Sequence, residues 1–173
     1  MIIKNHRSFI CGVKGKVLSK KEIEFLKKYK PWGIILFKRN IGSIKQTINL
    51  TNSIKKIFNN KNYPIMVDEE GGRVSRLRKF IDNSIFTAEY FGNLYKKNIN
   101  RFDIYYSVYV KQIAYLLRLL GININTVPVL DIKRKKFHKI VDDRSFSTDK
   151  KIVSKIGDRC IKLFHSNRVA TVI

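Results

Sequence analysis

The chain has 173 residues, 44% of them hydrophobic and 12% aromatic, enough for one domain with a sizeable core and too apolar for a disordered chain. Its apolar stretches are only strand-length, which excludes a membrane-spanning helix, and its first seven residues hold no apolar signal core, so a cytoplasmic location is expected. Thirty-six Lys and Arg against 13 Asp and Glu give a net charge of +23, which raises polyanion binding as a function class.

Residues 8–13 read as a short buried strand. Ser19 then starts a helix, with Glu22 three residues on completing a capping box. Ile23, Leu26 and Tyr29 fall on one face of it, and Pro31 stops it. Trp32-Gly33-Ile34-Ile35-Leu36-Phe37 is a continuous apolar run, suited to a strand covered on both faces. Ser43 and Gln46 form a second capping box, opening a helix that runs through Ile44, Ile48, Ile54 and Ile57. Residues 63–67 make a third apolar strand, ending in Asp68-Glu69-Glu70-Gly71-Gly72. A long, mostly polar connection follows. Residues 103–120 form the clearest helix, with Ile104, Val108, Ile113, Leu116, Leu117 and Leu120 as its stripe and Gly121 just past its end. Residues 122–130 read as a fourth strand ending at Asp131, and residues 133–139 as a basic loop. Residues 149–165 read as a helix with Ile152, Ile156, Cys160 and Phe164 in register, and residues 169–173 as a fifth strand.

Strands alternating with helices predict a parallel α/β fold. A doubly wound sheet and a (β/α)8 barrel of the TIM type both fit. No Gly-x-Gly-x-x-Gly follows the first strand and no Walker loop is present, so no cofactor is expected. A barrel needs about 250 residues. On that reading the chain is incomplete and supplies about the first five strands. Its open strand edges would invite a C-terminal complement or self-association.

The charge pattern argues against nucleic acid as the partner. Residues 1–86 carry 19 basic and 6 acidic residues, and residues 87–173 carry 17 and 7. The excess is spread along the chain. Lys outnumbers Arg 25 to 11, whereas base readout and bidentate phosphate contacts favour Arg. Lys, Ile and Asn together fill 64 positions, a composition bias carried on a solvated surface. The run at 133–136 is the alternative centre for a polyanion. Cys11 and Cys160 are too few for a disulfide scaffold or a zinc site and suit a reducing compartment. His6, His138 and His165 are scattered without metal-ligand spacing, so no metal is expected.

Polar residues gather just past the C-terminal ends of the predicted strands: Lys38-Arg39-Asn40, Asp68-Glu69-Glu70 and Asp131. That edge is where parallel α/β folds bind ligands. Gly71 and Gly72 allow a sharp turn there, and Arg73, Arg76 and Arg78 follow. An aspartate and an arginine meeting at a strand end can grip adjacent hydroxyls of a sugar, the carboxylate accepting and the guanidinium donating. A loop ion-pair network without a ligand fits the same spacing.

Four stretches occur in order: Trp32-Gly33-Ile34-Ile35-Leu36-Phe37-Lys38-Arg39-Asn40-Ile41, Val67-Asp68-Glu69-Glu70-Gly71-Gly72-Arg73-Val74-Ser75-Arg76-Leu77, Val127-Pro128-Val129-Leu130-Asp131-Ile132 and Asp143-Arg144-Ser145-Phe146. Over nearly the whole chain this set resembles the N-terminal part of the family-3 glycoside hydrolases, of the bacterial β-N-acetylhexosaminidase type. The resemblance implies one catalytic domain of which residues 1–173 are the N-terminal portion. It implies a (β/α)8 barrel that releases terminal N-acetylglucosamine from peptidoglycan fragments in cell-wall recycling, with retention. It implies substrate-binding roles for Asp68, Arg76 and Arg144, and structural roles for Glu69 and Glu70. It places a further sugar-binding stretch, the acid/base histidine and the nucleophilic aspartate beyond residue 173. On this resemblance no catalytic residue is assigned here, and the alternative reading of the chain by itself is a truncated, non-catalytic product.

Overall fold

The computed structural model describes residues 6–134 and 141–173. Five parallel strands form one sheet: β1 (Arg7–Gly12), β2 (Pro31–Leu36), β3 (Ile65–Val67), β4 (Ile124–Asn125) and β5 (Ala170–Thr171). The connections hold α1 (Lys20–Tyr29), α2 (Ile44–Ile57), α3 (Ala88–Lys97), α4 (Ile99–Leu119) and α5 (Lys150–Ser166).

The strands lie side by side in chain order, and this decides between the two architectures. A doubly wound sheet reverses its strand order at a switch point. Here the order never reverses. Right-handed crossovers then place all the helices on one face. That is the wall of a (β/α)8 barrel, open between β1 and β5.

Register and burial identify the helix-covered face. Ile34 pairs with Ile65 and Leu36 with Val67. All four are fully buried and join Leu26, Ile54, Ile113, Leu117 and Ile156 in one core. Burying each such side chain is worth about 1.5–3 kcal/mol. Met66 and Ile124, partners across β3 and β4, project from the opposite, open face because strand side chains alternate.

The capping box of α1 forms as predicted. Ser19 Oγ accepts from the Glu22 N–H at 3.2 Å, and the Glu22 carboxylate accepts from the Ser19 N–H at 2.9 Å. The second box does not close. Ser43 Oγ accepts from the Gln46 N–H at 3.2 Å, but the Gln46 amide oxygen accepts from Gly42 at 2.8 Å. Its NH2 donates to the carbonyls of Lys16 and Asn40 at 2.8 and 3.1 Å. Gln46 therefore ties together the loops that follow β1 and β2.

The predicted polar connection contains the helix α3, capped by Thr87. Asn98 both ends α3 and caps α4, accepting from the Arg101 N–H at 3.0 Å. The long helix thus begins four residues before its predicted start. Its first turns also face another way. Ile104 and Val108 are 60% and 50% exposed, while Phe102 and Tyr106 are buried. The Tyr106 ring packs edge-on to Phe91 at 4.7 Å and the Phe102 ring against Tyr95 at 5.1 Å, so the aromatic interface with α3 sets the rotation of α4.

The fourth strand is two residues long instead of nine. Pro128 has no N–H to give a ladder, and side-chain amides extend the pairing instead. Asn123 Oδ1 accepts from the Ile65 N–H at 2.9 Å. Asn125 clasps Glu69 on both sides, accepting from its N–H and donating to its carbonyl, each at 2.9 Å.

Candidate functional site

Side-chain alternation carries past the end of β3 and sorts three consecutive residues. Val67 faces the helices, Asp68 the open face, and Glu69 the covered side again. The Asp68 side chain keeps 24% of its surface exposed, whereas Glu69 is 2% exposed. Next to them, Asn125 lies on the covered side and Thr126 on the open side. Thr126 Oγ1 donates to Asp68 Oδ1 at 2.7 Å, and Arg76 Nη2 donates to Asp68 Oδ2 at 3.1 Å.

Two glycines bring Arg76 back to Asp68. Gly71 and Gly72 have φ of 89° and 56°, the left-handed region that suits glycine. A Cβ on Gly71 would lie 2.3 Å from the Phe86 carbonyl oxygen. The turn is closed by Glu70 N–H to the Val74 carbonyl at 3.0 Å and Val74 N–H to the Gly71 carbonyl at 3.1 Å.

Glu69 accepts from the backbone N–H of Arg76 at 2.6 Å and of Leu77 at 2.9 Å, and from Asn83 Nδ2 at 2.6 Å. Burial pushes its carboxyl above the usual carboxylate range, and these donors oppose that shift. Glu70 takes both arms of Arg144, at 2.7 and 2.8 Å. This pair holds the Arg144 guanidinium more firmly protonated than usual. Arg73 Nε adds a 2.8 Å contact to Asp143. The loops after β3 and β4 are thereby zipped together at two points.

The three sequence-predicted residues, Asp68, Arg76 and Arg144, line one open cleft of about 600 Å³ together with Glu70, Thr126 and Asp131. That size is in the range of small-molecule sites. The Lys38-Arg39-Asn40 stretch does not join them. Asn40 is fully buried and donates to the carbonyls of Val13 and Gly15 at 3.0 and 2.7 Å. Arg39 Nε donates to the Val13 carbonyl at 3.2 Å. Both act as scaffold for the loop after β1. Lys133, at the start of the basic loop, is engaged by Glu89 at 2.6 Å and Asp142 at 3.2 Å, so it tethers the loop to α3. Beyond Arg134 the rest of the run, and His138, lie outside the described residues.

Sequence reasoning missed the supports of the site: Thr126 behind Asp68, and Asn125 and Asn83 around Glu69. A signal for Glu69 was present. Period two puts it on the side of Ile65 and Val67, where a carboxylate must be hydrogen-bonded. Chemically, the cleft offers the Asp68 carboxylate and two guanidinium donors, with Glu70 bound to Arg144 and Asp131 also lining it. That set suits neighbouring hydroxyls on a ring.

Comparison with known proteins identifies the family. The family model described as glycosyl hydrolase family 3 N terminal domain matches residues 10–173. Beta-hexosaminidase A of Pseudoalteromonas piscicida is 30% identical over 154 residues, covering 87% of this chain and 25% of that protein. Beta-hexosaminidase of Xanthomonas oryzae pv. oryzae is 29% identical over 164 residues, covering 95% of this chain and 48% of that protein. The crystal structure of NagZ from Neisseria gonorrhoeae in complex with N-trifluoroacetyl-D-glucosamine shares the fold, with a TM-score of 0.86 and 24% identity over 96% of this chain and 48% of that one. The chain thus spans between a quarter and about half of the length of these relatives. With the family model covering nearly all of its sequence, the chain belongs to glycosyl hydrolase family 3, within the N-terminal domain.

Proposed function

We propose that this chain forms the sugar-recognising part of a β-N-acetylhexosaminidase, the N-terminal portion of a single catalytic domain that releases terminal N-acetylglucosamine with retention. One observation carries the reading: the Asp68 carboxylate meets Arg76 at 3.1 Å in a cleft shared with Arg144. In this reading Asp68 accepts from sugar hydroxyls, while Arg76 and Arg144 donate to hydroxyls and fix the ring. The names of the beta-hexosaminidase relatives support it, as does the N-acetylglucosamine analogue bound by the gonococcal protein.

Retaining hydrolysis needs a nucleophile and an acid/base flanking the scissile bond. On the family likeness we assign both of those roles to residues outside 1–173. As natural ligand we propose a peptidoglycan fragment ending in N-acetylglucosamine, met in the cytoplasm during cell-wall recycling. The two free thiols, Cys11 and Cys160, support a reducing compartment.

The test is calorimetric titration of the chain with N-acetylglucosamine, alone and as Asp68→Ala. Saturable binding that the substitution abolishes is expected. Equal heats from both proteins would overturn the reading. Hydrolysis of an aryl N-acetylglucosaminide is the corresponding assay for the whole gene product.

A further inference from the structure

We propose that Glu69 is the positioning residue of the Asp68–Arg76 pair: from the covered side of the sheet, it fixes where the Arg76 guanidinium stands beside Asp68 on the open side. The proposal rests on the reading of the cleft as a sugar site.

The geometry is that of a staple with a fixed base. The Glu69 backbone is held on both sides by the Asn125 amide, at 2.9 Å each way. Its side chain therefore starts from a defined point. One carboxylate oxygen, Oε2, then accepts from the N–H groups of Arg76 and Leu77, at 2.6 and 2.9 Å. The other, Oε1, accepts from Asn83 Nδ2 at 2.6 Å. The Asn83 carbonyl in turn accepts from the N–H groups of Gly72 and Phe86, each at 3.1 Å. Both arms of the loop between β3 and α3 are thus tied to one carboxylate. Fully buried Leu77 anchors the loop in depth. Apolar contact is non-directional, so it leaves the facing of Arg76 open. The two directed N–H bonds remove that freedom.

Residues 68 and 69 are neighbours that point to opposite faces. The same strand end therefore supplies the carboxylate that meets Arg76 and the carboxylate that holds the Arg76 backbone. A shift of the loop would separate the guanidinium from Asp68, which is itself fixed by Thr126.

This role needs acceptor lone pairs at one place more than it needs a charge. A glutamine can keep its oxygen on Arg76 and Leu77. Its NH2 would then face Asn83, whose Oδ1 is buried without a partner. A flip of the Asn83 amide gives that NH2 an acceptor. Aspartate keeps the charge but is one methylene too short to reach.

The experiment compares wild type, Glu69→Gln and Glu69→Asp in the 173-residue chain. Two quantities are read: hydrogen exchange of the Arg76 and Leu77 amides, and affinity for N-acetylglucosamine. Glu69→Asp is expected to speed exchange at Arg76 and Leu77 about tenfold and to weaken the sugar about tenfold, with the Ile113 and Leu117 amides unchanged. Glu69→Gln is expected to stay within about twofold of wild type on both readouts. Equal behaviour of the two variants overturns the proposal, because it removes acceptor reach as the cause. Faster exchange at Arg76 with undiminished affinity also overturns it. If the wild type binds no sugar, the reading of the cleft fails, and the exchange pattern alone decides whether Glu69 holds Arg76.

Discussion

Arg144 grips Glu70 through two parallel hydrogen bonds, Nε to Oε2 at 2.7 Å and Nη2 to Oε1 at 2.8 Å. The pair joins two loops 74 residues apart in sequence. The Glu70 side chain keeps only 11% of its surface exposed and Arg144 28%, so solvent screens the contact only in part. Arg144 reaches the cleft already oriented.

Replacing Glu70 by Ala should therefore act on stability and on binding together. We expect a loss of about 2 kcal/mol in urea denaturation, the scale of a lost charged hydrogen-bonded pair. N-acetylglucosamine affinity should fall about tenfold, because Arg144 is no longer fixed. An unchanged denaturation midpoint would show that the two loops are held by other contacts.

Thr126→Val keeps the shape of the side chain and removes one donor. Asp68 then loses its 2.7 Å bond from Thr126 Oγ1 while retaining Arg76. Sugar affinity should drop several-fold, and folding stability should change by about 1 kcal/mol or less. Calorimetry on the two proteins measures the first, and chemical denaturation the second.

Gly92 sits in the middle of α3, where alanine would ordinarily add about 1 kcal/mol through helix propensity. Here the sign reverses. A Cβ at this position would fall 1.6 Å from the Phe146 carbonyl oxygen. Phe146 lies two residues beyond Arg144, so the helix and the loop must part to accept it. Gly92→Ala should cost about 1–3 kcal/mol by overpacking, read as a lowered midpoint in urea.

The Cys160 thiol titrates far above neutrality, pushed up to about 12 by burial. Unfolding returns it to about 8.5. A group raised in the folded state contributes stability that is fully present below its unfolded value. That contribution is lost as pH climbs from about 8.5 to 12, since the unfolded chain then holds fewer protons. Buried Tyr106 and Tyr109 are raised as well and act in the same direction at higher pH. Denaturation midpoints should therefore decline through this window, with Cys160→Ala declining less steeply. At pH 8 Cys160 should react with a thiol reagent only when the chain is unfolded.

Much of the scaffold was legible because it is written in local signals. The Ser19–Glu22 box, the apolar run of β2 and the stripe of α5 each depend on residues a few positions apart. Asp68 and Arg76 were legible through a motif with the sharp turn at Gly71 inside it, and Arg144 through the separate stretch Asp143-Arg144-Ser145-Phe146. What escaped depends on distant partners. The helix α3 merges into α4 at Asn98 without a spacer, and Gly92 weakens its apparent propensity. Ile104 and Val108 fit a helical stripe by spacing, but the aromatic contacts with Phe91 and Tyr95 rotate that face outward. The fourth strand looked long because its apolar residues continue, while its backbone ladder is short and is extended by the side chains of Asn123 and Asn125. No local rule assigns a ladder position to an asparagine side chain.

Strand order in chain order also gives the assembly a direction in time. During synthesis at about 5–20 residues per second, β2 can dock on β1, and β3 on β2, while later segments are still being made. Each addition closes only the connection to the strand made just before it, which limits the entropic cost of the growing sheet. The cleft is different. Glu70 and Asp68 are in place with β3, but Arg144 and Asp143 arrive some seventy residues later. Four strands of the wall precede Arg144, and the recognition surface is fastened onto them before α5 and β5 are added.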